Sequence, residues 1–221
     1  MRKLIYALLL FLPWPLRRLG LVSLLGFRID ASARIGLAWI LPTTLEMGPG
    51  SRIGHLTMCK GLATLRLGSH ASIGRGNWIT GFPLGGARHF LAEPDRRPEL
   101  LVSDHAAITN RHIIDCTNRV TIGEFTTFAG FCSQILTHSI DLATSRQGSA
   151  PVTIGSHCFV GTGSILLAGS VLPDHSVLGA ASLLNKAYST SYRLYGGVPA
   201  TEISVLDANL AYFQRRTGFV D

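Results

Sequence analysis

The sequence predicts an all-β fold, a parallel β-helix of hexapeptide repeats that carries a short helical N-terminal segment and loop excursions. Two observations carry that expectation. From residue 154 aliphatic residues recur at every sixth position, as Ile154, Val160, Leu166, Leu172, Leu178 and Leu184. Four residues after each of the first five stands a small one: Cys158, Ser164, Ser170, Ser176 and Ser182. A helix repeats every 3.6 residues and a strand every 2, so neither accommodates a period of six. A short strand followed by a corner does. The aliphatic side chain points inward, the small residue lets the chain bend, and a following glycine (Gly155, Gly161, Gly179) relieves crowding. No single coil buries its own apolar face, so several must stack with their strands in parallel.

The period appears earlier in weaker form. Ile29, Ile35, Leu41, Met47 and Ile53 are spaced by six, with Ala33, Ser51 and Thr57 in small positions. It slips and resumes at Leu67, Ile73 and Ile79, again at Val102, Ile108 and Ile114, and again at Ile122 and Phe128. Two stretches break it. Residues 82–100 (FPLGGARHFLAEPDRRPEL) and 137–151 (THSIDLATSRQGSAP) read as excursions from the stack, and long loops thrown from a rigid repeat carry function more often than not. Three segments follow: an apolar helical segment over 1–27, a β-helix over 28–205, and a C-terminal cap over 206–221 in which Asp207 to Arg216 forms a short helix that closes the last coil.

Residues 1–27 read MRKLIYALLLFLPWPLRRLGLVSLLGF. A membrane-spanning helix needs ~20 uninterrupted apolar residues, and Pro13, Pro15, Arg17 and Arg18 interrupt this run. A secretory signal would end in a small-x-small cleavage site, and Pro13-Trp14-Pro15 stands there instead. Two short apolar helices remain, suited either to a membrane interface, with Trp14 at the headgroups and the arginines on anionic lipid, or to the flank of a partner subunit.

Apolar residues make up 47% of the 221-residue chain and charged residues 15%, which excludes a disordered chain. The formal net charge is +7. Lys and Arg are scattered, and no nucleic-acid-binding pattern accompanies them, so an anionic membrane surface or a phosphate-rich ligand fits the charge better. Cys59, Cys116, Cys132 and Cys158 form no CxxC pair or zinc spacing. Cys158 and, less clearly, Cys132 fall in small buried slots, as free thiols of a reducing compartment would.

The run IGSHCFVGTGSILLAGSVLPDHSVLGAASLLNKA (154–187), the ending YGGVPATEI (195–203), the step Thr137-His138-Ser139 and the stretch NRHIID (110–115) together resemble the hexapeptide-repeat acyltransferases. The likeness is to their sugar O-acetyltransferase branch, and to the acetyltransferases of exopolysaccharide and colanic-acid-type clusters. It covers roughly residues 29–205. It implies a left-handed coil, against the usual right-handed crossover, a homotrimer with sites between neighbouring prisms, and acetyl-CoA as acyl donor with no metal.

Acyl transfer to a hydroxyl needs a base in reach of the O–H. His138, on an excursion, matches the family's catalytic histidine, and Asp141, three residues on, is a candidate to fix its tautomer or else to cap its own turn. Asn110 matches a substrate-facing asparagine, with an Asx turn as the alternative. His112 fills a small-residue slot and either faces solvent or lines the site beside Asn110. His70, His157 and His175 sit at turn-like positions and read as surface groups. For the cofactor, Gly161, Thr162 and Ala180 match positions along a coenzyme A groove, Thr162 and Ala180 being 18 residues or one coil apart. Lys186 matches a contact to the adenosine phosphate end, and Arg193 is a further cation in the same stretch. Phe159 replaces the family's usual tryptophan, Asn185 a threonine, and Thr201-Glu202 a basic residue, which leaves the phosphate contact thin.

The resemblance, together with these residues, implies a cytoplasmic acyl-CoA-dependent O-acyltransferase acting on a sugar hydroxyl of a glycan or lipid-linked saccharide, and peripheral on the inner membrane face if residues 1–27 meet lipid rather than a partner subunit. Two rivals use the same coil. A zinc enzyme like the γ-type carbonic anhydrases needs three histidine ligands, and its His-x4-His step is absent. A non-catalytic scaffold has no use for a histidine loop.

Overall fold

The computed structural model describes residues 1–86, 89–218 and 220. Helices α1 (Arg2–Leu9) and α2 (Trp14–Leu25) lead into the coil. Proline is tolerated in the first turn of α2, where its missing N–H has no intrahelical acceptor. Gly26 ends the helix at φ 71°, a left-handed conformation that costs glycine little.

From Arg28 to Leu184 the chain winds through seven coils. Each coil contributes one strand to each of three parallel sheets. The first face runs from Arg28–Ile29 to Val171–Leu172, the second from Arg34–Ile35 to Val177–Leu178, and the third from Trp39–Leu41 to Leu183–Leu184. Strands stack in register, so inward side chains form columns. On the third face the column is Ile40, Cys59, Ile79, Ile114, Ile135, Leu166 and Leu184. The six aliphatic residues of the 154–184 run are fully buried, as are Cys158, Ser164, Ser170 and Ser176 at the corners. Each buried aliphatic contributes about 1.5–3 kcal/mol.

Two expectations fail by one residue each. Ile40, not Leu41, points inward, because the strand Trp39–Leu41 alternates and its middle residue faces the core. Cys132 is exposed with φ 62°, and Ser133 takes the buried slot, because one extra residue lengthens that corner relative to its neighbours.

A β-helix leaves an open edge at each end, where backbone groups lack a neighbouring coil. The helices close the first. Arg2 donates to the Thr43 carbonyl at 3.0 Å, Arg18 Nε to that of Asp30 at 3.0 Å, and Arg17 to that of Ile35. The Tyr6 hydroxyl donates to the Ala38 carbonyl at 3.0 Å and accepts the Ile40 N–H at 3.1 Å. At the other end the antiparallel hairpin Arg193–Gly197 with Ala200–Val205 closes the stack.

The expected C-terminal helical cap is instead a strap. A single 3-10 turn (Ala211–Gln214) places Phe213 against His175 and Tyr192, and Tyr212 donates to the Cys158 carbonyl at 2.8 Å. Gly218 lies beside His105, several coils back. The strap lies along a corner where His70, His105, Phe125, His157, His175 and Tyr192 stack with centroids 4.8–5.1 Å apart. His70, His157 and His175 are thus rungs of a ring ladder rather than independent surface groups.

Candidate active site

Both excursions leave from the corner between the third and first faces. Residues 82–98 connect Trp78–Thr80 to Glu99–Val102, and the antiparallel hairpin His138–Asp141 with Arg146–Ser149 connects Gln134–Leu136 to Val152–Ile154. His138 is the first residue of that hairpin.

Beneath it lies Asp115, the last residue of the strand Ile113–Asp115 one coil earlier. Its Oδ2 accepts from His138 Nδ1 at 2.7 Å, from the Thr137 N–H at 2.9 Å and from the Thr137 hydroxyl at 2.8 Å. Its Oδ1 accepts the Thr117 hydroxyl at 2.6 Å and the Thr117 N–H at 3.1 Å. Burial alone would raise its pKa. The hydrogen bonds from Thr117, His138 and Thr137 outweigh burial and hold the carboxyl below its ordinary 3.8. An ionised carboxylate has no proton to give, so His138 Nδ1 carries the hydrogen and Nε2 is the basic nitrogen. The His138 side chain remains 32% exposed.

The first excursion walls the imidazole. The Phe82 and Phe90 rings meet it edge-on at 5.6 and 6.1 Å. Buried Arg96 donates to the carbonyls of Phe82 at 2.8 Å, Pro83 at 3.0 Å and Thr117 at 2.7 Å, and lies 4.5 Å over the Phe90 ring. Glu93 Oε1 accepts the Ser149 N–H at 2.7 Å, and Oε2 takes the Ser149 hydroxyl. The two excursions are thereby fastened to each other. Beside them opens a cleft of about 500 Å3, lined by His89, Phe90, Leu91, Ile140, Arg146 and Gln147.

Several expected site residues lie elsewhere. Asp141 does not reach His138: it is spent on its own turn, accepting the Ala143 N–H at 2.8 Å and the Thr144 hydroxyl at 2.9 Å. His112 neither faces solvent nor lines a site. It is 1% exposed inside the coil, where Nδ1 accepts the Ser133 N–H at 3.2 Å and Nε2 meets the Thr109 hydroxyl at 2.9 Å. Burial lowers its pKa to about 4. Arg193 is not a free cation, because it pairs with Glu202 at 2.8 Å and sits beside Tyr192 at the ladder corner.

Asn110, Gly161, Thr162 and Ala180 share the corner between the second and third faces, on the opposite edge of the third face from His138. Asn110 is exposed, and its Oδ1 accepts the N–H of Arg75 in the preceding coil at 2.7 Å, a contact between coils rather than the local Asx turn. Thr162 and Ala180 are exposed in successive coils, linked by the Ala181 N–H to the Thr162 carbonyl at 2.9 Å. With Gly161, Gly163, Gly179 and Ala181 they leave a track of small side chains. Lys186 is exposed at the third-to-first corner of the last coil.

Sequence reasoning missed Asp115, Phe82, Phe90, Glu93 and Arg96. Only Asp115 left a signal, as the acidic end of NRHIID one coil before the histidine.

Between the two corners the outward column of the third face reads Trp39, Met58, Trp78, Ile113, Gln134, Ile165 and Leu183. Trp78 is 51% and Ile113 45% exposed. A column with a single polar member on a solvated sheet face is unusual for a monomer.

The architecture is that of the left-handed parallel β-helix of hexapeptide-repeat transferases. A polysialic acid O-acetyltransferase is similar to this chain at 13% identity, covering 86% of this chain and 90% of its own with a TM-score of 0.53. An N-acyltransferase from Bacillus cereus, in a mutant complex with dTDP and coenzyme A, is similar at 15% identity, covering 82% and 88% with a TM-score of 0.52. A hexapeptide transferase family protein from Anaplasma phagocytophilum matches at 20% identity, covering 85% of each chain with a TM-score of 0.51. No protein-family model and no curated protein matches the sequence.

Proposed function

We propose that the chain is an acyl-CoA-dependent O-acyltransferase, acetyl-transferring in the simplest case. It acts on a sugar hydroxyl of a glycan or lipid-linked saccharide, as a cytoplasmic homotrimer. The observation that carries this is the 2.7 Å contact between His138 Nδ1 and the saturated Asp115 carboxylate. That pair makes Nε2 a general base for an O–H and offsets the positive charge that forms when it takes the proton. Nε2 removes the acceptor proton as the hydroxyl oxygen bonds to the acyl carbon, and returns it to the leaving sulfur. Acyl-CoA supplies the thioester, and its C–S bond breaks as the ester to the acceptor oxygen forms. The track from Gly161 to Ala181 fits a pantetheine arm, having small side chains and open backbone, and exposed Lys186, at the other edge of the third face, is a candidate cation for the phosphate end of a cofactor bound between subunits. The neighbour named as a polysialic acid O-acetyltransferase supports a saccharide hydroxyl as acceptor.

Threefold association through the apolar third face supports the same reading. Rotation about an axis beside that face brings the His138 corner of one subunit against the Asn110 and Ala180 corner of the next. The base and the cofactor track, separated within one chain, then share a site. Titrating coenzyme A calorimetrically into the wild type and Ala180→Trp tests the groove. The wild type binds, and the variant, whose indole fills the track, binds at least about tenfold more weakly. Equal binding would remove the track from the account.

A further inference from the structure

We infer that the helix-capped end of the prism docks on an anionic lipid bilayer, through the outer face of α1 and α2 and a collar of basic side chains above it. The inference goes beyond acyl transfer and rests on three observations.

First, the cap is two-sided. Tyr6, Leu9, Leu21 and Leu25 face the coil and are buried. Leu4, Leu8, Phe11, Leu16, Leu19 and Leu24 face away and are 55–88% exposed. Such a contiguous set of large apolar side chains on a helix pair marks an interaction face. Among the described residues no helix is long and apolar enough to cross a membrane, so the face lies on lipid rather than through it.

Second, charge is polarised along the prism. Residues 1–80, which form the cap and the three nearest coils, hold ten Lys and Arg against two Asp and Glu; residues 81–221 hold ten against eleven. The entire positive surplus therefore sits at the capped end. Lys3, Arg34, Arg52, Lys60 and Arg75 are exposed there. Lys3 lies in the cap itself, and Arg34 and Arg52 in the first two coils above it, the coils rising by about 4.8 Å each, so the basic collar is the charge nearest a surface under the cap.

Third, the residues that most resemble a membrane anchor in the sequence are not free to be one. Arg17 and Arg18 donate to coil carbonyls, and the Trp14 ring packs on the core with Arg17 over it. The contact belongs to the leucines and Phe11, and the electrostatics to the collar.

The test is flotation of the full-length chain with phosphatidylcholine vesicles, alone or containing about a third phosphatidylglycerol. The wild type floats with the anionic vesicles. The combined variant Leu8→Ser, Phe11→Ser, Leu16→Ser loses at least about tenfold of the bound fraction, with its melting temperature and its thiol release on a soluble acceptor unchanged. Should that variant fold poorly, Phe11→Ser alone, at a side chain 88% exposed, shows the same direction of loss. Arg34→Glu with Arg52→Glu abolishes the preference for anionic over neutral vesicles. Wild type left in the soluble fraction on anionic vesicles, or serine variants that float like wild type, would overturn the inference. So would a doubled solution mass that the serine variants reverse, which would assign the face to a second copy.

Discussion

Glu93 and Ser149 join two excursions that leave the coil far apart in sequence: one carboxylate oxygen accepts the Ser149 N–H at 2.7 Å and the other its hydroxyl. Ser149 pairs across the hairpin with His138. The first excursion, with Phe82 and Phe90, is thereby held against the imidazole. Glu93→Ala frees that wall while leaving Asp115 in place. We expect kcat to fall about tenfold, with coenzyme A affinity retained. Loss of the two charge-assisted bonds accounts for about 1.5–3 kcal/mol of local stability. Steady-state kinetics beside calorimetry separates the two, and an unchanged kcat would show that the wall is passive.

In the proposed reaction Asp115 acts through His138, and Asp115→Asn keeps its shape while removing its charge. Turnover is expected to drop by ~10²–10⁴, with coenzyme A binding unchanged. The sign of the stability effect follows from the lowered folded-state pKa. The stabilisation is present above the unfolded value and is lost as pH falls through the folded one. Acid unfolding of Asp115→Asn should therefore be flatter than wild type below about pH 4. Parallel acid limbs in chemical denaturation would contradict this.

His112 is a silent interior group with a stability signature. Its folded pKa of about 4 lies below the ordinary 6.5, so the unfolded chain binds more protons between those values. Stability should decline as pH falls from 6.5 towards 4 and level off below, by at most ~3 kcal/mol from this group. His112→Gln removes that slope. Denaturant melts across the window read it, and a variant with the wild-type slope would place the titration elsewhere.

The third face should hold the assembly together. Ile113→Arg puts a charge in the middle of its apolar column beside Trp78. Light scattering is expected to move from three subunits to one, with transfer lost and the far-UV spectrum kept. A monomeric variant of full activity would show that each prism carries a complete site.

The six-residue period of 154–184 was legible because every inward slot there is aliphatic and every corner slot small, a pattern only a coil uses. The slip at Leu41 was not, because Trp39, Ile40 and Leu41 are all apolar and composition cannot choose which one faces in. His138 was visible as the histidine on an excursion. The sequence offers Asp141, three residues on, as its partner, whereas a β-helix sets neighbours one coil apart, and Asp115 lies 23 residues earlier. His112 was hidden for the same reason. Its partners Asn77 and Ser133 come from the coils before and after, and only Thr109 lies near it in sequence. The basic residues look scattered along the chain, and only their position in the stack gathers them at one end.

In the proposed function His138 Nε2 is the base for acyl transfer from acyl-CoA. The measurement that tests it most directly is free-thiol release from acetyl-CoA with saccharide acceptors, with product mass followed in parallel, for wild type and His138→Ala. Wild type should release thiol in step with a product heavier by one acetyl group. His138→Ala should lose ~10²–10⁴ in turnover while binding coenzyme A as before. Wild-type turnover by His138→Ala at saturating acceptor would contradict the account.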